Sequence, residues 1–561
     1  MSPTNLSYQT YNPQLATGVH GSPMTQTAVL HAAERLMPYD DYFKVRDGYR
    51  RSIANLDSLV EDYMRGDLPA FSVIKDNLYY ECVQLARTMF SPPQTYRPVH
   101  FVDLRYYPYP LNSSAEAPYT SNPLLRRAVV KLYEQKKLPS PRLNFHNLYN
   151  LIFKIERQNV HRAKLGYLTD YQGNDILAWN TAHARAHLVS SEDPDKTRMV
   201  FGVPKRLIFV ETMFFWPLMR WLMESDSPML WGHETIKGGW YKLANYFSVH
   251  QPRAQTFLAL DWKQFDKRAK FEVIDDIHFK IILSYLDLKN GYIPTINYPE
   301  SETDEWRLMN LFRYMNYAVK FTPDALPNGH VFRRTMGGIA SGFFQTQILG
   351  SIYNMIILLT TLADAGINVN NISIKVQGDD SIIAINEYIP PERHQNFLDQ
   401  LADIALRRFD AVLNTKKSKI NNNLNGLPVL GYTNLHSYPI RSKFELLASL
   451  AYPERQCDPS RLMARCIGIA WADCGNNPKV FEVCKDVHDY FKSEGYSPNM
   501  TGLPDIIKAQ DLILKQAEYK SIVSSEFPSV FDTTRHLFSM IPRSTQQKEQ
   551  LWPTSHFLSE Y

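Results

Sequence analysis

The 561-residue chain has little cysteine, almost no excess of charge and no long hydrophobic run. Its five cysteines are Cys82, Cys457, Cys466, Cys474 and Cys484, an odd number. The last four are separated by 9, 8 and 10 positions, which matches neither a CxxC zinc site nor a disulfide framework in so long a chain. Reduced thiols in a cytosolic setting are expected. The opening residues, MSPTNLSYQTYNPQ, lack the basic start and apolar stretch of a signal peptide. The longest apolar stretch, residues 355–367, is too short to cross a bilayer and carries Asp364. A soluble, intracellular protein without a membrane partner is the expectation. No internal repeat or low-complexity tract is visible. A net charge of +4 points to no partner, although a basic channel can hide within such a balance because the field that matters is local.

What the chain does have is a sizeable apolar share, 44%, and many tyrosines and phenylalanines, the makings of a large folded core. The first 30 or so residues are polar and rich in Pro, Thr and Gln, and read as a poorly ordered arm. Helical patterns run from Ala33 to Met89 and again over 124–190, with an extended, proline-rich stretch between them. KTRMVFGVPKRLIFVE (196–211) alternates and reads as strands. QTFLALDWKQFDKRAKFEVIDDI (255–277) reads as a buried strand ending at Asp261, followed by a helix. Residues 337–366 read as a glycine-rich loop running into a long apolar helix. FLDQLADIALRRFDAVLN (397–414) is an amphipathic helix, and PVLGYTNLHSYPIRS (428–442) a hairpin. From about Lys443 the pattern is again helical. This order predicts an α+β fold with an antiparallel sheet backed by helices on one face.

The segment KVQGDDSIIAI (375–385) places Gly378, Asp379 and Asp380 between two β-branched arms, so a hairpin should carry both aspartates at its tip. On its own this is equally a surface turn, where Asp and Gly are common. Asp261 ends an apolar strand, with Asp266 five positions on; alone, Asp261 is equally a helix N-cap. If that strand lies beside the hairpin, Asp261 faces Asp379. Converging carboxylates in a closed space require divalent cations, and oxygen ligands with open positions suit Mg²⁺ or Mn²⁺. A two-metal site would hold its ions about 4 Å apart. Between these stretches, Ser341 and Gly342 of SGFFQT lie at a loop–helix junction, where backbone amides suit phosphate or sugar contacts.

The ordered set LDWKQFD, GGIASGFFQT, QGDDS and LNTKKSK resembles motifs A to D of viral RNA-dependent RNA polymerases. PKRLIFVE, VLGYTNLHSYPIRS and LLASLAYPE look most like the polymerases of partitiviruses, segmented double-stranded RNA viruses. The resemblance spans roughly residues 110–455. It implies a right-hand fold of fingers, palm and thumb, with an antiparallel palm sheet and a fingertip cage closed by the N-terminal third. The implied layout is an arm over 1–30, fingers with an N-terminal extension over 31–250, and palm over 251–290. A fingers insertion follows over 291–335, then palm over 336–442 and thumb with the C-terminal region over 443–561.

The resemblance also implies roles. Asp261, Asp379 and, less directly, Asp380 would hold two Mg²⁺ or Mn²⁺ ions. Asp266, Ser341 and Thr346 would read the ribose 2′-hydroxyl, with Gly342 beside them. Lys417 would protonate the leaving pyrophosphate, with Lys416 and Lys419 as rivals. Lys196 and Arg198 of KTRMVFG would grip the triphosphate, with Lys205 and Arg206 continuing the basic lining. Ser114 and Tyr119 of SSAEAPY would guide template, and Arg441 would sit near the primer strand. Implied partners are RNA template, nascent RNA, NTPs and the capsid interior; the implied location is the virion interior and the host cytoplasm.

The sequence departs from the family pattern in three places. Gln377 precedes the GDD where tyrosine is common. Glu116 occupies a position where glycine is common. Gly350 stands where an asparagine is expected, with Asn354 one helical turn on. Two other classes share some of these features. A reverse transcriptase shares the carboxylates, but Asp266 argues against it. An RNA-packaging protein predicts basic clusters without ordered acidic motifs. The final stretch, FSMIPRSTQQKEQLWPTSHFLSEY, carries no motif and has two open destinations, the active site or a capsid.

Overall fold

A computed structural model describes residues 2–3, 23–454, 457–503, 523–539 and 542–559. At its centre is a four-stranded antiparallel sheet. Its order is Ile372–Gln377, Asp380–Ile385, Thr256–Ala259 and Lys419–Asn421. Ile383 pairs with Leu258, which in turn pairs with Ile420. The inner strands Asp380–Ile385 and Thr256–Ala259 are largely apolar because both faces are covered. Leu258, Ile383 and Ile385 face one core with the helices Thr346–Asp364 and His394–Phe409. Ala259, Ile382 and Ala384 face a second core with Trp240, Leu243 and Phe247 of the helix Gly239–His250 and with Val429 and Tyr432. The expectation of helices on one face only is therefore corrected. Nothing in the local pattern announces that the 239–250 helix returns to the other side.

The helix Thr346–Asp364 is buried over nearly its whole circumference, as its apolar composition requires, and Gly366 (φ +89°) ends it. By length and composition it reaches the range of a membrane-crossing helix, contrary to the sequence reading, but most of it is packed inside the protein. Residues 203–211, expected as strand, open a second long helix, Lys205–Glu224, which runs through Pro217. Its sequence is mostly apolar from Leu207 to Met223, and over a stretch of this length that signals a buried helix rather than a strand. Residues 180–186 and 188–190, expected as helical, are strands. The first of these pairs antiparallel with Thr197–Gly202. The expected 428–442 hairpin has three strands, Pro428–Val429, Tyr432–Leu435 and Tyr438–Ile440.

The two ends of the chain fold back on other parts. Most of the expected N-terminal arm lies outside the described residues, and from Pro23 the chain is already helical. Helices Pro23–Leu36 and Tyr39–Arg46 share a core with the late helices Lys443–Ala451, Pro459–Ala472 and Pro478–Ser493. That core also buries Cys457, Cys466 and Cys484, and all five cysteines are free and buried. The final described segment docks on the 205–224 helix. Trp216 packs edge-on against Trp552 and Phe557 and donates its indole N–H to Leu551 O at 2.9 Å. Those contacts belong to neither of the two destinations the sequence left open.

Candidate active site

The hairpin forms as read. Gln377 pairs with Asp380 across a two-residue turn, and Gly378 adopts φ +60°, the positive φ such a turn asks of its first residue. The tip is held from below by the 346–364 helix. Ser351 Oγ accepts the Gly378 N–H at 2.8 Å, and Asn354 Nδ2 donates to Gly378 O at 2.9 Å and Asp379 O at 3.1 Å. Asn354 Oδ1 in turn accepts the Trp262 indole N–H at 2.9 Å. Asn354 is thus fully engaged in tying the residue after Asp261 to the aspartate turn, and it has no free edge with which to read a sugar. At Gly350 an added Cβ would lie 3.5 Å from Gly378 Cα, so the helix passes close under the turn at that point.

Asp261 is clamped to the segment after the amphipathic helix. Asn414 donates its backbone N–H to Asp261 O at 2.7 Å and its amide to Asp261 Oδ2 at 2.8 Å, and Ser418 Oγ accepts the Asp261 N–H at 3.0 Å. The exposed lysines Lys416, Lys417 and Lys419 come with that clamp. Lys417 and Asp261 both act electrostatically on Lys196, so the three stretches converge.

Asp266 and Asp379 are reached by water, but from within a recess walled by protein, and that surrounding raises the cost of their charge. Burial first, then the neighbouring Asp379, pushes Asp266 up to about 6, against the pull of Arg198 and Lys267. Asp379 is raised by burial, with Asp261 adding to it. Asp380 is pushed up to about 7 by burial, then by Asp379 and Asp261; an amide N–H from Leu430 only partly offsets this. Among the described residues, none of these four aspartates has an ion-pair partner within 4 Å. Also among the described residues, no three His, Cys, Asp or Glu side chains close a metal shell on their own. The expected closed cluster is therefore looser than the sequence suggested. Hard, mutually repelling oxygens without a contacting ion-pair partner nevertheless suit a divalent cation that keeps further ligands from solvent or substrate.

The basic strand lies across the recess. Lys196 and Arg198 are exposed and flank the buried Thr197, as alternation predicts. Arg198 stands opposite Arg185 in the antiparallel register. Like charges directly opposite are unfavourable. Arg185 is neutralised by Glu454 through bonds of 2.9 and 3.1 Å, whereas Arg198 faces the aspartates. Ser341 and Gly342 dock on this strand. Ser341 Oγ accepts the Phe201 N–H at 3.2 Å, and a Cβ at Gly342 would come within 2.0 Å of Phe201 O. Gly342 therefore serves close approach, not an open amide cradle. Thr346 Oγ1 donates to the loop carbonyls of Phe343 and Ala340 at 2.9 and 3.1 Å.

Three other expectations are corrected. Tyr119 is buried, and its hydroxyl donates to Glu156 at 2.6 Å, out of reach of any template. Arg206 does not line a basic channel; it is buried and donates to Glu156 at 2.8 Å. Lys205 is buried against the Phe145 ring. The remaining residues lie at the edges. Ser114 is half-buried, and its hydroxyl accepts the Glu116 N–H at 3.2 Å. Glu116 itself takes φ +59°, the conformation for which glycine is the usual choice, and its carboxylate fills the space over Gly202. Burial alone would raise the Glu116 carboxyl, but His183, Lys205 and Ser114 around it outweigh burial and hold it low. Arg441 lies against Gly431 and the Tyr432 ring in the three-stranded sheet.

Sequence reasoning missed the supports: Asn354, Ser351, Asn414, Ser418 and Glu211. Glu211, fully buried on the 205–224 helix, accepts the Phe344 N–H at 2.9 Å and the Gln345 amide at 3.0 Å, anchoring the loop of Ser341 and Gly342. A glutamate inside an otherwise apolar run was the one available signal for it.

A family model described as viral RNA-dependent RNA polymerase matches residues 162–433. The RNA-directed RNA polymerase of White clover cryptic virus 1 is 32% identical over 91% of this chain and 88% of its own length. The chain belongs to the viral RNA-directed RNA polymerases. The enzyme of the same name from Atkinsonella hypoxylon virus is 27% identical over 70% of this chain and 64% of its own. Membership implies the right-hand polymerase fold; the mixed helix and sheet, with no closed barrel among the described residues, agree with it.

Proposed function

We propose that the polymerase copies and transcribes a double-stranded RNA genome, adding NTPs to a growing strand and releasing pyrophosphate. One observation carries the catalytic reading. Aspartates from the ends of two neighbouring strands are held without an ion-pair contact among the described residues, in a recess where Arg198 and Lys196 act on them only at longer range. Asp261 and Asp379, with Asp380 beside them, would hold two Mg²⁺ or Mn²⁺ ions. When bound, such a pair activates the 3′-hydroxyl and neutralises charge on the leaving group. The 3′-oxygen bonds to the α-phosphorus, the bond to the bridging oxygen breaks, the hydroxyl proton passes to solvent water, and pyrophosphate departs. Arg198 and Lys196 position the triphosphate. Lys417, on the clamp beside Asp261, supplies the proton to the pyrophosphate. Asp266, with the hydroxyls of Ser341 and Thr346, discriminates the 2′-hydroxyl, a group that both donates and accepts. Ser114 and Arg441 contact template and primer strands.

Fingers over 31–250 and 291–335, palm over 251–290 and 336–442 and thumb from 443 remain our assignment. The cage reading is supported by the shared core of helices 23–46 and 443–493 and by the Arg185–Glu454 pair, which join early and late parts of the chain around the site. The capsid interior in the host cytoplasm is the setting we assign.

The test is nucleotide incorporation on a short single-stranded RNA with Mg²⁺ or Mn²⁺, comparing wild type with Asp379→Asn. Loss of synthesis by about a thousandfold or more, with RNA binding retained, supports the assignment. Equal synthesis by both proteins overturns it.

A further inference from the structure

A second basic site lies on the helix Phe145–Lys164, and none of the four aspartates lines it. Lys154, Arg157, Gln158 and His161 fall at i, i+3, i+4 and i+7, so they form one exposed stripe. The turn Phe101–Tyr106 runs opposite and closes a groove of about 560 Å³. Its floor is apolar: the rings of Phe101 and Phe153 meet edge to face at 5.8 Å. Arg105 is fixed at the rim. Its guanidinium sits 4.4 Å over Phe153 and 5.1 Å from Tyr149, and it donates to Asn150 Oδ1 at 3.0 Å.

No carboxylate lines this groove. Among the described residues, Arg105, Lys154, Arg157 and His161 make no ion pair. The helix's one acid, Glu156, turns inward to Arg206. The His161 imidazole is held low by burial and by the positive charges of Lys164, Arg157 and Arg307. Cations in the last turns of a helix are ordinary, but that explains neither the groove nor the stacked arginine facing them. The stripe from Lys154 to His161 covers about 10 Å along the axis, more than a single phosphate. One fixed guanidinium and two exposed cations over an apolar floor match a sugar–phosphate chain, and an enzyme that handles RNA meets that chemistry constantly.

We propose that this groove is a second nucleotide-phosphate site, separate from the catalytic recess, that grips single-stranded RNA by its backbone. A free nucleoside triphosphate carries the same chemistry and is the other source to distinguish. Lys154 and Arg157 are exposed, so Lys154→Ala with Arg157→Ala should fold. The full chain is titrated with a labelled single-stranded RNA of 12 nucleotides at several salt concentrations, and separately with a fluorescent ATP analogue. The variant should bind RNA about 5- to 20-fold more weakly at ~0.1 M salt. Its plot of log affinity against log salt should lose about 1.4 from its slope, the amount for two single-strand phosphates. Loss of one of two ATP-analogue sites, with RNA binding unchanged, would support the site with free nucleotide as its ligand. Unchanged binding of both would overturn it. So would an equal loss in the control variant Lys131→Ala with Lys137→Ala, which removes the same charge from an exposed helix and its end. Incorporation on preannealed, saturating RNA reads the recess alone. A fall there matching the loss of binding would place these cations in the catalytic machinery and overturn a separate groove.

Discussion

Two groups of charge in this polymerase, one buried around Glu156 and one in the water-reached recess around Asp380, are built in opposite ways. Around Glu156 every charge is answered. Tyr119, Asn159 and Arg206 donate to its two oxygens at 2.6 to 3.0 Å, and Arg206 also donates to Ile176 O. Around Asp380 nothing of the kind occurs: burial and two other aspartates raise its carboxyl, and one amide opposes them. A satisfied network of this sort fixes the relative placement of segments distant in sequence. An unsatisfied one is maintained only at a cost, which marks it as the place where something charged must bind. The difference teaches where to look for function in a chain with many polar residues inside.

The largest expected effect sets the two regions against each other directly. Glu156→Ala leaves a buried guanidinium without its partner and should destabilise by about 3–5 kcal/mol, lowering the melting temperature by a few degrees. Asp380→Asn removes repulsion and should raise the melting temperature of the metal-free protein by about 1 °C. A thermal melt of both variants decides. Shifts of the same sign would erase the distinction.

The next effect concerns geometry without charge. Asn354→Ala removes three bonds between the aspartate turn and Trp262 while leaving all four aspartates in place. Incorporation should fall by about a hundredfold through misplacement of the reacting groups, with RNA affinity little changed. Activity within twofold of wild type would show that the hairpin holds itself.

Much of this was readable beforehand because it rests on local rules. The 372–385 hairpin needs only β-branched arms and a glycine that accepts positive φ, and both are local. Lys196 and Arg198 emerge on one face from strand alternation. Glu116 is a different case: a residue in a glycine-type conformation, visible as a departure from pattern but explained only by the His183 and Lys205 groups that surround it. Tyr119 failed for the same reason. A tyrosine near a template motif looks available until Glu156, 37 positions away, is found beneath it. Asn354 is visible in the sequence only as an asparagine one helical turn beyond Gly350; its partners Trp262 and Gly378 come from distant segments that no local pattern links to it. The 205–211 stretch was misread because apolar runs look alike in a buried strand and a buried helix until their length is counted.

A divalent ion should narrow the contrast between the two regions. Mn²⁺ at a hundredfold excess over its Kd should raise the melting temperature by about 2–3 °C, from linkage energy divided by the unfolding entropy of a chain this size. Asp379→Asn should abolish most of that rise, and Glu156→Gln should not. A rise of equal size in all three proteins would mean that the ion binds elsewhere.

The smallest effect concerns a third charge, intermediate between the two extremes. Glu211 has two donors, Phe344 N–H and the Gln345 amide, but no cation, and burial pushes its carboxyl up to about 8. The chain continues behind it: the Gln345 carbonyl meets His278 Nε2 at 2.7 Å, and Asn316 Nδ2 meets His278 Nδ1 at 3.0 Å. Burial holds His278 down at about 4, so it stays neutral and relays no charge. The folded protein therefore keeps a proton on Glu211 that the unfolded chain releases near the ordinary glutamate value. Its stabilising contribution is complete below that value and is lost as pH rises through about 8. Between pH 6 and pH 8 the wild type should lose about 1–2 °C more in melting temperature than Glu211→Gln, which keeps the shape but does not titrate. Because Glu211 anchors the loop of Ser341 and Gly342, the same pH range should also weaken that loop's protection from hydrogen exchange in wild type alone. Parallel pH profiles for the two proteins would mean that the carboxyl is already ionised at pH 6, and that its two donors are enough to hold a buried charge without a cation.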